Sequence, residues 1–423
     1  MLERFKLAEN NTDVKTEVIA GITTFMTMAY IIFVNPDILA AAGMDQGAVT
    51  TATILSAGIT TILMGLLANY PFALASGMGL NAFFAFVVAA RAGWQAALGA
   101  VFLSGVVFFI LAWTGIVELM DEAVPPTLKR AVSVGIGLFI ALIGLTNAGI
   151  IVANPATLVG LGDLASPGPA LALIGLALIS ILMARGVRGA MLIGILATTI
   201  IGIPMGVTKY QGIIGSPASM EPILFKLDIP GALQLGFFTI FAFLFVDVFD
   251  TMGTLMGTAA RSKFLDEQGR LPRVKEAMLV DAIGTMGGAL LGTSTVTTYV
   301  ESSAGIAEGG RTGLTAITVG VLFFLSLFFA PLALTVPSQA TAPALVIVGV
   351  LMMSAITGVD FNDFTEAFPA FITIALMPFT YSIADGIAGG FLAYPLVKLA
   401  SGRSREVHPF VYVLAIISVI HFL

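Results

Sequence analysis

The chain has 423 residues, of which 58% are hydrophobic and only 10% charged, with a net charge of -6 and no cysteine. A soluble domain carries about 25% charged residues, so the composition excludes a soluble globular protein. The missing cysteines exclude disulfides, thioether-linked haem and thiolate zinc sites. The slight acidic balance, spread over short loops, says little about partners. No cofactor and no nucleic acid are expected.

Apolar runs able to cross about 30 Å of hydrocarbon recur from end to end. In chain order they fall at 17–35, 48–70, 79–90, 97–119, 130–150, 167–184, 188–206, 236–259, 276–292, 299–308, 312–335, 341–357, 365–381 and 383–400, with a last piece at 408–423. The leading "MLERFKLAENNTDVKTE" has no cleavable signal pattern. The longest polar loop, "RSKFLDEQGRLPRVKE", leaves no room for an extramembrane domain. With the N-terminus in the cytoplasm, all 19 Lys and Arg except Arg91, Lys209 and Lys226 fall on the cytoplasmic side. A miscounted span would scramble that bias. The reading is an all-α polytopic protein of the cell inner (plasma) membrane, with fourteen transmembrane segments and both termini cytoplasmic. The piece 408–423 is either a peripheral helix or, if 365–400 crosses only once, the last span.

The segments 79–90 and 299–308 are too short to span, and each follows a cluster of Gly, Ser and Thr. The chain also repeats itself. "VPPTLKRAVSVGIGLFIALIGL" from Val124 matches "VPSQATAPALVIVGVLMMSAI" from Val336, and "ILMGLLANYPFALASGMGLNAFF" from Ile62 can be laid on "TMGGALLGTSTVTTYVESSAGIA" from Thr285. The second pairing superposes the two short segments. Seven plus seven segments must lie in opposite orientations. Inverted repeats with interrupted segments in matching positions place the binding site of a secondary transporter at the interruptions.

A carboxylate in hydrocarbon costs about 2.5–3.5 kcal/mol even by insertion experiments, so Glu301 needs a compensating partner. An extended "TSTVTTY" before a half-helix supplies unpaired backbone N–H groups and the positive end of a helix dipole. The matching "ALASGMGLNAFFAF" supplies Asn81, an amide that both donates and accepts. Two half-helices meeting end to end form a polar chamber, with Phe83, Phe84, Phe86 or Tyr299 as its aromatic wall. "FLFVDVFDTMGTLMGT" sets Asp247, Asp250 and Thr254 on one helical face, and Asp281 follows in "VDAIGTMGG". No Lys or Arg lies in the expected interior to pair with these acids, as suits proton coupling. The residues alone leave Asp247 either a site acid or an acceptor for a neighbouring helix terminus. Asp281 is either a packing residue or a proton site away from the ligand. Glu308 and Asp385 read as interfacial, and His408 and His421 as part of the tail.

"TMAYIIFVNP", "ASGMGLNAFFAF", "FVDVFDTMGTL" and "TTYVESSAGIAEGGRTGL" together resemble the AzgA-like branch of the nucleobase–cation symporters, permeases for hypoxanthine, guanine or adenine. The resemblance covers nearly the whole chain. It implies the uracil-permease fold, a 7+7 inverted repeat. Residues 1–120 (segments 1–4) and 236–335 (segments 8–11) would form a core domain, and 121–235 (segments 5–7) and 336–423 (segments 12–14 and the tail) a gate domain. It also implies proton symport and a homodimer. Asp250, in "DTMG", then takes the role of the segment 8 acid that elsewhere appears as Glu-x-x-Gly, one methylene longer. Glu301 is the segment 10 acid, Asn81 the segment 3 polar residue, and Asp281 the segment 9 acid tied to coupling or packing. Thr254, Phe83 and Tyr299 complete the expected substrate site, and Asp247 joins Asp281 as a proton-coupling candidate. The competing readings are an anion transporter of the sulfate or bicarbonate type on the same fold, and sodium-coupled nucleobase uptake. An anion site needs a basic residue near segments 3 or 10, where Met78, Asn81 and Glu301 stand.

Overall fold

The computed structural model describes residues 2–262, 264–266 and 270–422; Lys263, counted above on the cytoplasmic side, lies outside the described residues. Asp13 caps α1 (Val14–Met28), its Oδ1 accepting from the Thr16 N–H at 2.8 Å. α1 stops at Ala29–Tyr30 and continues as α2 (Ile31–Ala40), the two making one apolar stretch of 27 residues. Asp45 caps α3 (Gln46–Leu63). An extended piece with β1 (Leu74–Ser76) then enters the short helices α4 (Met78–Phe83) and α5 (Ala89–Ala92), joined by a π turn. α6 (Trp94–Thr114), α7 (Ile116–Ala123) and α8 (Pro126–Asn147) follow, then the hairpin β2 (Ile151–Asn154) and β3 (Leu158–Leu161), α9 (Pro167–Ala184) and α10 (Ala190–Gly202).

The second half begins with α11 (Ile229–Gln234) and the long α12 (Phe237–Ser262), followed by α13 (Val274–Leu291). β4 (Val296–Thr298) leads into α14 (Ser302–Ala307), and α15 (Gly313–Ser326), α16 (Ala330–Thr335) and α17 (Ser338–Met353) come next. α18 (Phe364–Thr380), α19 (Ile383–Ala400) and α20 (Pro409–Phe422) end the chain. Among the described residues, nine helical stretches are long and apolar enough to cross a membrane. α13 has the length but carries Lys275, Glu276 and Asp281. α10, α18, α20 and the Met78–Ala92 stretch are apolar but shorter. The molecule is a polytopic helical membrane protein, and every apolar run read from the sequence contains helix.

β1 and β4 are the two extended pieces anticipated before the short segments, and they pair with each other. Leu74 faces Thr298, Ala75 faces Thr297 and Ser76 faces Val296, antiparallel and fully buried. Backbone groups at this depth have no water to bond. Each strand supplies what the other lacks, and Tyr299 N–H and Gly77 N–H extend the ladder to the carbonyls of Ala73 and Thr295.

α8 and α17 pack antiparallel with no side chain between them at one point. A Cβ built on Gly137 would stand 2.9 Å from the Gly349 carbonyl oxygen, and one on Gly349 would stand 2.5 Å from that of Gly137. In the alignment that sets Val124 on Val336, these two glycines occupy equivalent positions.

α18 and α19 form a hairpin turned by Tyr381, so 365–400 runs the length of the fold twice rather than once. Arg403 ties the far end of α19 to Asp363 at the start of α18, 2.6 Å apart. α20 then runs back along α19 until His421 Nε2 meets Asp385 Oδ1 at 2.9 Å, near the first turn of α19. The last helix therefore ends at the opposite end of the molecule from Arg403. The N-terminal turn packs against the π turn that follows α3, Arg4 donating to the Leu66 carbonyl. The sequence reading put both termini in the cytoplasm and left 408–423 either a peripheral helix or a last span; here the piece is a helix running along α19.

Gly349→Val inserts three carbons where two backbones touch. Overpacking of this kind costs about 1–3 kcal/mol. The detergent-solubilised variant is expected to unfold at lower temperature than the parent, while Val350→Ala, at an exposed neighbouring position, leaves the midpoint nearly unchanged.

Candidate functional site

The crossing of β1 and β4 forms one wall of a cavity of about 1010 Å³. Asp250 from α12 and Glu301, immediately before α14, both line it, together with Thr254, Tyr299, Tyr30 and Met78. The lining runs on past Lys129, Arg130 and Ser354 to the exposed surface where α8 starts and α17 ends. At the other end of α8 the wall is shut. There Thr341 of α17 donates to the Asp37 carboxylate of α2 at 2.6 Å.

Four of the expected residues thus share one space: Asp250, Thr254, Tyr299 and Glu301. Tyr299 presents its ring to the cavity while its hydroxyl donates to the Ser76 carbonyl at 2.6 Å, tying the end of β4 to the end of β1. Asn81 and Phe83 stand elsewhere. Asn81 is fully buried, its Oδ1 accepts from Ser76 Oγ at 2.8 Å, and its Nδ2 has no partner. Phe83 packs its ring on Phe243, centroids 5.0 Å apart, and borders a separate cavity of about 220 Å³ with Arg91, Gln234 and His421. The reason is position along the helix. The first residues of α4, Met78, Gly79 and Leu80, border the large cavity, while Asn81 and Phe83 come later in the helix and are packed in the core.

Glu301 also differs from the expectation in what holds it. α14 has only six residues, and the Glu301 side chain makes no capping bond to it. Its partner is Tyr30, whose hydroxyl donates to Glu301 Oε1 at 2.6 Å. Tyr30 is fully buried at the break between α1 and α2. No Gly or Pro marks that break, so the run 17–35 reads as an unbroken helix and Tyr30 goes unnoticed. α14 and α1 are also packed closely, for a Cβ on Gly305 of α14 would collide with the Ala20 carbonyl of α1.

Asp247 and Asp281 sit behind the cavity and do not line it. Asp247 Oδ2 accepts from Thr285 Oγ1 at 2.7 Å, and its Oδ1 is unpartnered. Asp281 Oδ1 accepts from Thr251 Oγ1 at 2.8 Å and from Thr298 Oγ1 at 3.4 Å, and its Oδ2 is unpartnered. Hydroxyls rather than cations surround both acids. The interior is nevertheless not free of basic residues, as the sequence suggested. Lys129 and Arg311 line the cavity, and Lys398 is buried 2.6 Å from Glu366. Arg311 is spent on backbone, its Nη1 donating to the carbonyls of Ile306 and Gly310 that close α14. A further buried acid, Glu17, accepts from Arg311 N–H at 2.9 Å and Thr315 Oγ1 at 2.6 Å, and so joins α1 to the start of α15. Its place at the edge of a polar leader made it read as a loop charge.

A helical membrane fold in which two interrupted segments cross beside a carboxylate-lined cavity defines a transporter-type protein. Among solved structures, the transmembrane domain of the cyanobacterial bicarbonate transporter BicA shares this architecture, with a TM-score of 0.66 over 89% of this chain and 96% of that one, at 16% identity. That likeness concerns the fold alone. The Permease family profile matches residues 15–389, and the chain belongs to that family. A putative permease of Methanocaldococcus jannaschii is 55% identical over 99% of this chain and 97% of its own length. The adenine permease AdeP of Escherichia coli is 47% identical (99% and 95%), and the guanine/hypoxanthine permease PbuO of Bacillus subtilis 46% (98% and 98%). The motif resemblance read from the sequence therefore holds.

The natural absence of cysteine makes the cavity directly testable. Asp250→Cys, on the cavity wall, is expected to react with a hydrophilic maleimide at least roughly tenfold faster than Asp247→Cys, since thiol reactivity follows access. Equal rates would show that the cavity does not end where the structure puts it.

Proposed function

We propose that this protein is a secondary active transporter that imports purine nucleobases, hypoxanthine and guanine or adenine, by proton symport with alternating access. The observation that carries the reading is the pair Asp250 and Glu301 on one cavity. A planar purine presents N–H donors and ring-nitrogen or carbonyl acceptors at its edge. Carboxylates accept from the N–H groups, and the Tyr299 ring offers a face. The purine permeases among its relatives, similar over nearly their full lengths, support the same substrate class.

Alternating access draws support from the cavity's reach to the surface at the start of α8 and from the Asp37–Thr341 bond at the other end of that helix. In the proposed division, α1–α7 and α12–α16 form the core and α8–α11 with α17–α20 the gate, so that this bond crosses the boundary between them. Fourteen segments as 7+7 inverted repeats, expected from the sequence, agree with the contact of the equivalent glycines Gly137 and Gly349 and with the mutual pairing of β1 and β4. The N-terminus is proposed to be cytoplasmic in the plasma membrane, and the molecule a homodimer. α20, running back along α19, is proposed as a further crossing after the fourteen segments that carries the C-terminal end outward, so His421→Cys is expected to label from outside intact cells and Gly402→Cys only after permeabilisation.

The anion reading has the fold on its side but not the site. Two carboxylates line the cavity, and Arg311, the basic residue after segment 10, is engaged by backbone carbonyls. For the purine reading, uptake of radiolabelled bases into proteoliposomes is the test. Accumulation of hypoxanthine, guanine or adenine under an inward proton gradient is expected, and sodium-only drive would replace the coupling ion. Glu301→Gln should abolish most of the uptake. Asp250→Asn should weaken base binding more than Asp247→Asn, by about 1.5–3 kcal/mol for a hydrogen bond to a charged group. Full uptake by Glu301→Gln would remove the site from the proposal.

A further inference from the structure

Asp281 is completely buried, yet a line of hydroxyls joins it to the cavity. Thr297 borders the cavity, and its Oγ1 lies 2.8 Å from Thr251 Oγ1. Thr251 Oγ1 in turn lies 2.8 Å from Asp281 Oδ1. The direction of these bonds is fixed by proton count. A threonine hydroxyl holds one proton, and an ionised Asp281 can only accept. With Asp281 ionised, Thr251 donates to it and Thr297 donates to Thr251; Thr297 is also hydrogen-bonded with Asp250 at the cavity wall, so a protonated Asp250 is placed to donate to the Thr297 oxygen. The Thr298 N–H, 3.4 Å from Thr251 Oγ1, helps hold that oxygen in place.

Two buried threonines beside a buried aspartate would satisfy the acid without any other role, and many buried carboxylates are bonded this way. Two features of this site go further. The row of hydroxyls ends at the cavity and not at another core group, and Asp281 keeps one oxygen without a partner. Thr297, the cavity end of the row, is hydrogen-bonded with Asp250, so the relay starts beside the proposed substrate-binding acid. Asp247 and Asp250 are the titratable neighbours of Asp281, and Asp247 is engaged separately by Thr285.

We infer that Thr297 and Thr251 form a hydroxyl relay that carries the coupled proton between the substrate cavity and Asp281. A hydronium ion or a protonated carboxyl in the cavity gives a proton to the Thr297 oxygen. The original Thr297 proton passes to Thr251, and the Thr251 proton to Asp281 Oδ1. At each threonine one O–H bond forms and one breaks, so both remain neutral. The cavity donor loses one proton, Asp281 becomes a carboxylic acid, and no electrons change hands. Rotation about the two Cβ–Oγ bonds resets the relay, and the reverse sequence discharges it.

The inference rests on the proton-symport reading above, and the experiment separates the two. Thr251→Val removes the hydroxyl but keeps the branched shape, and Thr251→Ser keeps the hydroxyl. Each is reconstituted in liposomes and assayed with radiolabelled purine in two modes: accumulation under an imposed pH gradient, and base-for-base exchange without a gradient. In exchange the proton stays on the carrier, so no relay is required. Thr251→Val is expected to lose gradient-driven accumulation at least about tenfold, the low end of what positioned proton transfer contributes. It should keep exchange within about twofold, and Thr251→Ser should keep both activities. If the parent accumulates no base under the pH gradient, the symport reading falls and the relay with it. If the parent does and Thr251→Val does so equally, the relay alone is overturned. Loss of exchange in Thr251→Val in step with accumulation would mark Thr251 as structural and also overturn the relay.

Discussion

The fold depends on one constraint: a backbone that leaves the helix inside hydrocarbon must still bond its N–H and C=O groups. A transporter site needs such a break, because an unbroken helix offers no backbone or space to a ligand. In this chain two breaks satisfy each other through three residue pairs, Leu74 to Thr298, Ala75 to Thr297 and Ser76 to Val296. Only an antiparallel approach allows that ladder, so the two interrupted segments must enter from opposite sides. Tyr299 then closes the crossing through the Ser76 carbonyl. The cavity beside it follows, because the half-helices diverge from the pair and leave a gap against α8 and α12.

The carboxylates sort by their distance from that crossing. Asp250 and Glu301 look into the cavity, and Tyr30 holds one oxygen of Glu301, leaving the other free to accept from a ligand. Asp247 and Asp281 lie one layer deeper, each on threonine hydroxyls. Hydroxyls can serve as donors to an ionised acid and adjust when it is neutral, which a lysine partner cannot do. Fixed ion pairs stand near helix ends and loops, in the Arg403 contacts with Asp363 and Glu406, the Lys398 contacts with Glu366 and Glu406, and Arg188 with Glu308.

Much of this was legible in the sequence. Hydrocarbon imposes length and composition on a span, so the apolar runs announced the helices. The two short segments with their Gly, Ser and Thr leaders announced the strands. Asp250 and Glu301 stood out because an acid in an apolar run has few explanations. What stayed hidden depends on depth and on partners distant in sequence. Asn81 and Phe83 lie in the right helix but beyond the residues that border the cavity, a depth that apolar periodicity does not report. Tyr30 is 271 positions from the carboxylate it bonds, and the break that places it carries no Gly or Pro. Glu17 and Lys398 stand at the edges of the runs 17–35 and 383–400, and their partners on α15 and α18 cannot be seen from their sequence neighbours.

The central claim is that a purine is held between Asp250 and Glu301 in the cavity beside the strand crossing. It is tested most directly by an experimental structure of the protein with hypoxanthine, guanine or adenine bound. The account predicts density for the planar base within hydrogen-bonding distance, about 2.7–3.2 Å, of both carboxylates and against the Tyr299 ring. A base seated in the smaller cavity beside Phe83 and His421, with Asp250 and Glu301 uninvolved, would contradict it.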